Sequence, residues 1–437
     1  MPSIRPDYDA SPPYSIPIRF YLLAPGWLVL AAVVALGVDP AWAANRWQPA
    51  TLALTHLLTL GFLGMTMVGS FIQVVGVVGG VALPAVGPVS TLTLAGLLVG
   101  TPALAFGLLT SEPLALQLGA LALGVGGFGF VTIAGIGLMR AARNPIVAYV
   151  RLAWFALALT LALGLALAGA LAGWWPLAAI VTLTDLHAAW GLLGWVFLLV
   201  VGVGLEVVPM FQVTPPYPRA LIRTLGWAVV AALGLLSAAL PLGGAAADWL
   251  AILAEVMLAA AVAGFALTTL RLQAQRRRKL RDTTLDYWRL AMVSLLLAAL
   301  LSLVRLGFPT APDGRWQVLL GMVFLLGFAV PVVSGMLYKI VPFLGWLHLQ
   351  SVPNRPRQGL PNPIDLMPDR ATRQQYWVYL ASVLILAPSP WLGRPCIVVG
   401  ATGLGIAGLL LWLQIWRTCR RLEQYGVRVA WWPHRAA

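Results

Sequence analysis

The sequence predicts an all-α, polytopic membrane protein of about twelve transmembrane helices in three four-helix repeats. Three observations predict it. Hydrophobic residues make up 60% of the 437 and charged residues only 10%, at a mean hydropathy of +0.88, which excludes an ordinary soluble domain. Apolar segments of about 20 residues, far longer than a barrel strand, recur along the chain and suit helices spanning ~30 Å of hydrocarbon. One motif also occurs three times, 133 residues apart. It reads Leu60-Gly61-Phe62, Gly69, Gln73-Val74-Val75. It returns as Leu193-Gly194-Trp195, Gly202, Glu206-Val207-Val208, and again as Leu326-Gly327-Phe328, Gly335, Lys339-Ile340-Val341. Matches of Leu, Val and Gly are cheap in apolar sequence. Matches at five positions with a polar residue in one shared slot, twice at the same offset, define a repeat.

In chain order the expected spans are 18–38, 49–78, 87–109, 114–139, 146–171, 177–210, 221–242, 247–270, 286–308, 316–345, 376–393 and 396–417. They group into repeats over 18–139, 146–270 and 286–417, with tails at 1–17 and 418–437. The first tail is polar and proline-rich and does not read as a cleaved signal peptide. Four helices per repeat make the copies parallel, so the motif helices (second, sixth and tenth) run the same way. Of the 28 Lys and Arg residues, only Arg46, Arg305, Arg315 and Arg394 fall on the side opposite the N-terminus. The positive-inside rule then places both termini in the cytoplasm of a cell with a bacterial-type inner (plasma) membrane. The net charge of +14 is accounted for by that bias and by anionic lipid, not by nucleic acid. The basic run Gln275–Arg281 belongs to the same lipid surface. Glycines 119, 124, 126, 127, 129, 135 and 137 crowd the fourth helix and form a packing face.

Titratable residues inside the spans are few, and each is a candidate. His56 lies 17 residues before Gln73, and His187 lies 19 before Glu206. The two imidazoles therefore sit within ~3 Å of the same depth on equivalent, parallel helices. Either they share a heme or metal ion, for which imidazole is a common ligand, or they bond nearby backbone or Asp185. Gln73, Glu206 and Lys339 mark the other ends of the motif helices, as a polar pore or proton inlet or as interhelical glue. Glu206 and Lys339 have opposite signs and are expected to pair. Pro209 and Pro342 are expected to end or kink their helices. His348 falls at the end opposite His56 and reads as interfacial, and His434 in the tail is assigned nothing.

Twelve helices in three parallel groups of four resemble the catalytic subunit (subunit I) of the heme–copper oxidase superfamily. The stretch His187-x6-Gly194-Trp195-x6-Gly202-x6-Pro209 is similar to that family's histidine-bearing inner helix. The resemblance implies pore-lining motif helices and a heme b, with copper as an alternative, held by His56 and His187. Met322, in the slot equivalent to His56, is a third candidate. The family's binuclear centre further requires histidines on the seventh helix and two on the tenth. Here Ala220–Leu242 contains none and the tenth carries only His348, so oxygen or nitric oxide reduction by that mechanism is not expected. NnrS-type membrane proteins are a looser likeness. The resemblance thus implies an oxidase-like heme protein of respiratory or nitric-oxide-related metabolism, partnered by lipid and by a respiratory electron carrier or an oxidase or reductase subunit. A membrane transporter and a cofactor-free scaffold are the alternatives.

Overall fold

The computed structural model describes residues 10–277, 282–307, 314–350 and 360–427. Residues 351–359 of the proline-rich stretch 351–373, residues 278–281 of the basic run, and His434 lie outside the described residues. Twelve long helices make up the fold among the described residues. They are α1 Ser15–Gly37, α2 Pro49–Val77, α3 Val86–Thr110, α4 Pro113–Arg140, α5 Pro145–Leu171, α6 Ile180–Gln212, α7 Arg219–Ala239, α8 Gly244–Ala274, α9 Thr283–Gly307, α10 Gly314–Gln350, α11 Asp369–Leu386 and α12 Arg394–Gln424. No strand occurs among the described residues.

Proline at the first turn opens α2, α4 and α5 without cost, because the missing N–H would have no helical partner there. Asn144 caps α5 by accepting from the Val147 N–H at 2.9 Å. Eleven of the helices are long and apolar enough to cross a membrane, so the protein is a multi-pass membrane protein. The exception is α11. It opens with Asp369, Arg370 and Arg373, and it stops at Leu386 because Pro388 and Pro390 come next, leaving Ser389–Leu392 as a separate turn. The span expected over 376–393 is thus displaced. At the chain's end α12 continues to Gln424, well into the stretch expected as a tail.

The helices close into a ring. In each third the first helix packs on the motif helix (α1 on α2, α5 on α6, α9 on α10), and the third and fourth form a hairpin. The last helix of each third then packs on the first of the next: α4 on α5, α8 on α9, and α12 back on α1. Tyr14, just before α1, meets the ring of His348 near the end of α10 at 5.5 Å. The start of α1 and the end of α10 therefore share one side.

The motif glycines hold this arrangement. Without a hydrophobic drive between helices in lipid, association depends on close backbone approach. A Cβ on Gly61 would fall 2.6 Å from the Trp27 ring, one on Gly194 2.7 Å from Ala156 Cβ, and one on Gly327 2.6 Å from Ser294 Oγ. The second glycine of each motif repeats the pattern. A Cβ would reach Phe20 and Tyr21 from Gly69 at 3.1 Å, Tyr149 from Gly202 at 2.6 Å, and Tyr287 from Gly335 at 2.7 Å. All six contacts are made by the first helix of the same third. The glycine-rich α4 does the same on two faces. Gly119 and Gly126 lie against the α3 backbone at Leu104 and Gly96, while Gly124 and Gly127 seat Leu165 and Leu161 of α5.

Each motif helix also contains a π segment: Leu57–Gly64, Trp190–Phe197 and Val323–Ala329. Their first residues lie 133 apart, the offset of the sequence motif. A π turn takes one extra residue, which rotates what precedes it by about 100° relative to an unbroken α-helix. Pro209 and Pro342 do not end their helices; α6 runs on to Gln212 and α10 to Gln350.

Gly202→Val and Gly335→Val should each lower stability by about 2–3 kcal/mol, measured by denaturation in detergent. Gly264→Ala, where a Cβ meets nothing within 4 Å, should be neutral or slightly stabilising. Equal losses at all three positions would refute the close-approach account.

Candidate functional site

His56 is the last residue before the π segment of α2, and His187 stands three residues before that of α6. Their rings lie together, centroids 6.2 Å apart and planes within 21° of parallel. Both side chains are half-buried. His56 Nδ1–H donates to the Leu52 carbonyl one turn back at 2.8 Å. His187 Nδ1–H donates across to the Thr160 carbonyl of α5 at 3.1 Å. A carbonyl can only accept, so both rings carry their proton on Nδ1 and keep Nε2 as a free lone pair. The ring of His187 rests on Gly164 of α5, where a Cβ would fall 2.9 Å from its Cε1. Side and orientation are thus set by α5 rather than by α6 itself.

The separation of these two rings matches that of ligands on one shared ion. Imidazoles bonded at ~2.0–2.1 Å on opposite sides of one metal have their centroids about 6 Å apart, and carbonyl-bound Nδ1 is the usual second contact of a ligating histidine. Among the described residues no group of three or more His, Cys, Asp and Glu gathers to hold a metal. The pair therefore suits an ion whose other positions are filled from elsewhere, as porphyrin nitrogens fill those of heme iron, or one content with two ligands, such as cuprous copper.

Asp185 does not serve the imidazoles. It pairs with Arg46 at 2.5 Å, and the Arg46 guanidinium lies over the Trp47 ring, 4.5 Å from its centroid. This clasp joins the α1–α2 connection to the start of α6 and so ties the two histidine helices at their N-terminal ends. Met322 is buried immediately before the third π segment, the position His56 holds before the first. Its segment, Gly314–Met322, packs against Pro40–Ala44, Ser389–Leu392 and α9. The structure brings His56 and His187 together.

The polar slot at the other end resolves differently in each copy. Gln73 Nε2 donates to Ser11 Oγ at 2.9 Å. Lys339 pairs with Asp282, before α9, at 3.0 Å, so the expected Glu206–Lys339 pair is not formed. Glu206 has no hydrogen bond or ion pair among the described residues. Gln73 and Glu206 both line a cavity of about 180 Å³ enclosed by the C-terminal halves of α2, α6 and α10. Aromatic rings pack between the motif helices: Phe71 against Trp195 and Phe197 against Phe328, each with centroids 6.1 Å apart. His348, at the same end, donates from Nδ1 to the Leu344 carbonyl at 2.9 Å and packs on Tyr14.

No family model matches the chain, and no curated protein matches it. Sequence reasoning missed Arg46, Thr160 and Gly164 as parts of the site. Arg46 is one of four basic residues on the side opposite the N-terminus and carries that much signal; Thr160 and Gly164 lie in an apolar helix and carry none.

Imidazole nitrogen NMR of histidine-labelled, metal-free protein should show neutral His56 and His187 as Nδ1–H tautomers. An Nε2–H signal from either ring would overturn the assignment of Nε2 as the free ligand atom.

Proposed function

We propose that this chain is a heme-binding, oxidase-like integral membrane protein acting in electron transfer, sensing or heme handling within respiratory or nitric-oxide-related metabolism. The observation that carries the reading is the pair of imidazoles from α2 and α6, 6.2 Å apart, each with Nδ1 committed to a carbonyl. His56 and His187 hold the group in this reading. A heme b iron supplies one-electron redox chemistry when bound; copper is the other ion the same pair accepts.

The chain's own residues do the holding. The Leu52 and Thr160 carbonyls fix which nitrogen each ring offers and raise its basicity. Gly164 leaves room for His187, and the Arg46–Asp185 clasp keeps the helix ends from parting. Met322, in the slot equivalent to His56, stays the third candidate ligand. Reduction of oxygen or nitric oxide at a heme–copper pair is no part of the proposal, because α7 holds no histidine and α10 only His348.

By the distribution of Lys and Arg, the imidazoles lie near the outer face of a bacterial-type inner membrane, with both termini cytoplasmic. A respiratory electron carrier, or an oxidase or reductase subunit, meets the protein on that side.

Detergent-purified protein should show a reduced-minus-oxidised absorption difference and about one iron per chain by elemental analysis. His56→Ala and His187→Ala should each abolish the band. Bound copper without a band would shift the assignment to a two-coordinate copper site. A colourless protein with neither metal would refute the proposal.

A further inference from the structure

The cavity lies on the pseudo-threefold axis. Its wall is built from triplets spaced 133 residues apart: Thr66, Leu199 and Val332 nearest the histidines, then Ser70, Val203 and Met336, then Val74, Val207 and Ile340. The last triplet at the open end is Val78, Phe211 and Leu344. Met210 in the same rim is 45% exposed, so the cavity communicates with the surroundings there.

The chemistry of the wall is not threefold. In the polar slot Lys339 has withdrawn to Asp282 and does not line the cavity. The slot therefore presents one carboxylate and one amide, with no cation. The Glu206 carboxylate has no partner among the described residues. Gln73 is 8% exposed, and its Oε1 is buried without a hydrogen bond while its Nε2 is held by Ser11. Trp288 of α9, 1% exposed, completes the side wall with an indole N–H that likewise lacks a partner. Nearly everything else in the lining is aliphatic or Met. Orphaned buried polar atoms of this kind are rare and call for a partner.

We infer that this axial cavity is a binding site for a hydrophobic primary amine in its ammonium form. An ammonium offers three donors. The Glu206 carboxylate on the cavity wall is the acceptor, and it supplies the opposite charge that a cation needs to leave water. The apolar body lies among the Leu, Val and Met triplets. A cavity of about 150 Å³ accommodates a benzene ring, so 180 Å³ takes one aromatic ring with a short chain. An anion of the same shape would meet Glu206 with like charge, and a neutral isostere would gain the apolar contacts alone. Neither imidazole lines the cavity, so the site does not depend on whether they hold a metal.

The test is calorimetric titration of the intact protein in a zwitterionic detergent with phenethylammonium, phenylacetate and phenethyl alcohol. The amine should bind, the alcohol more weakly, and the anion not detectably. Glu206→Gln should weaken the amine at least about tenfold and leave the alcohol unchanged. Met336→Trp, which fills the cavity, should remove both ligands. The thermal midpoint of each variant reports folding, and Glu206→Gln tests the carboxylate separately should the bulky one fail to fold. Phenylacetate binding as tightly as the amine, amine binding unchanged in Glu206→Gln, or ligands retained by Met336→Trp would each overturn the inference.

Discussion

The structure depends on close helix crossings at the two glycines of each motif. In lipid, two helices gain little by hiding apolar surface from one another, so the separation at which backbones pack decides whether they stay together. Gly61 and Gly69, Gly194 and Gly202, and Gly327 and Gly335 bring the first helix of each third within van der Waals contact of the second. Three equivalent crossings set three motif helices at equal tilt about one axis, and the α12–α1 contact closes the circle. A side chain at any of these glycines would act locally in packing yet be felt throughout the ring.

The π segments give the crossings their chemical consequence. Each motif helix must present its glycines to its own first helix and a different face to the axis or to a neighbour. An extra residue per π turn changes the angular phase between the N-terminal and C-terminal parts of the helix. His56 sits just before that change of phase and Thr66 just after it, so one helix contributes to both the imidazole pair and the axial cavity. Neither imidazole is part of the cavity lining, so the two chemistries do not share a wall.

The polar residues show how the threefold frame is broken by charge. Equivalent slots hold Gln73, Glu206 and Lys339, yet only the first and third find a partner among the described residues. Ser11 precedes α1 and reaches Gln73; Asp282 precedes α9 and reaches Lys339. Nothing comparable among the described residues reaches Glu206 before α5, so one carboxylate is left on the axis. Buried charge is costly unless paired, and the pairing available to each copy depends on the chain that happens to enter beside it. At the opposite end Asp185 is drawn to Arg46 for the same reason, and that frees the imidazoles from it.

The sequence alone determined the class, the repeat and the candidates. Apolar segment length, the 133-residue offset and the matched depths of His56 and His187 are all matters of position along a helix, which composition and spacing encode directly. It did not determine partners. That His187 is held by the Thr160 carbonyl and Gly164, that Lys339 turns to Asp282, and that Glu206 is left facing a cavity are contacts between segments far apart in the chain. Nor could it show that Pro209 and Pro342 lie within continuing helices, or that α11 ends at Leu386. Spacing gives the depth of a side chain, whereas its neighbour is fixed by which helix packs beside it and at what rotation, and only the closed ring supplies both.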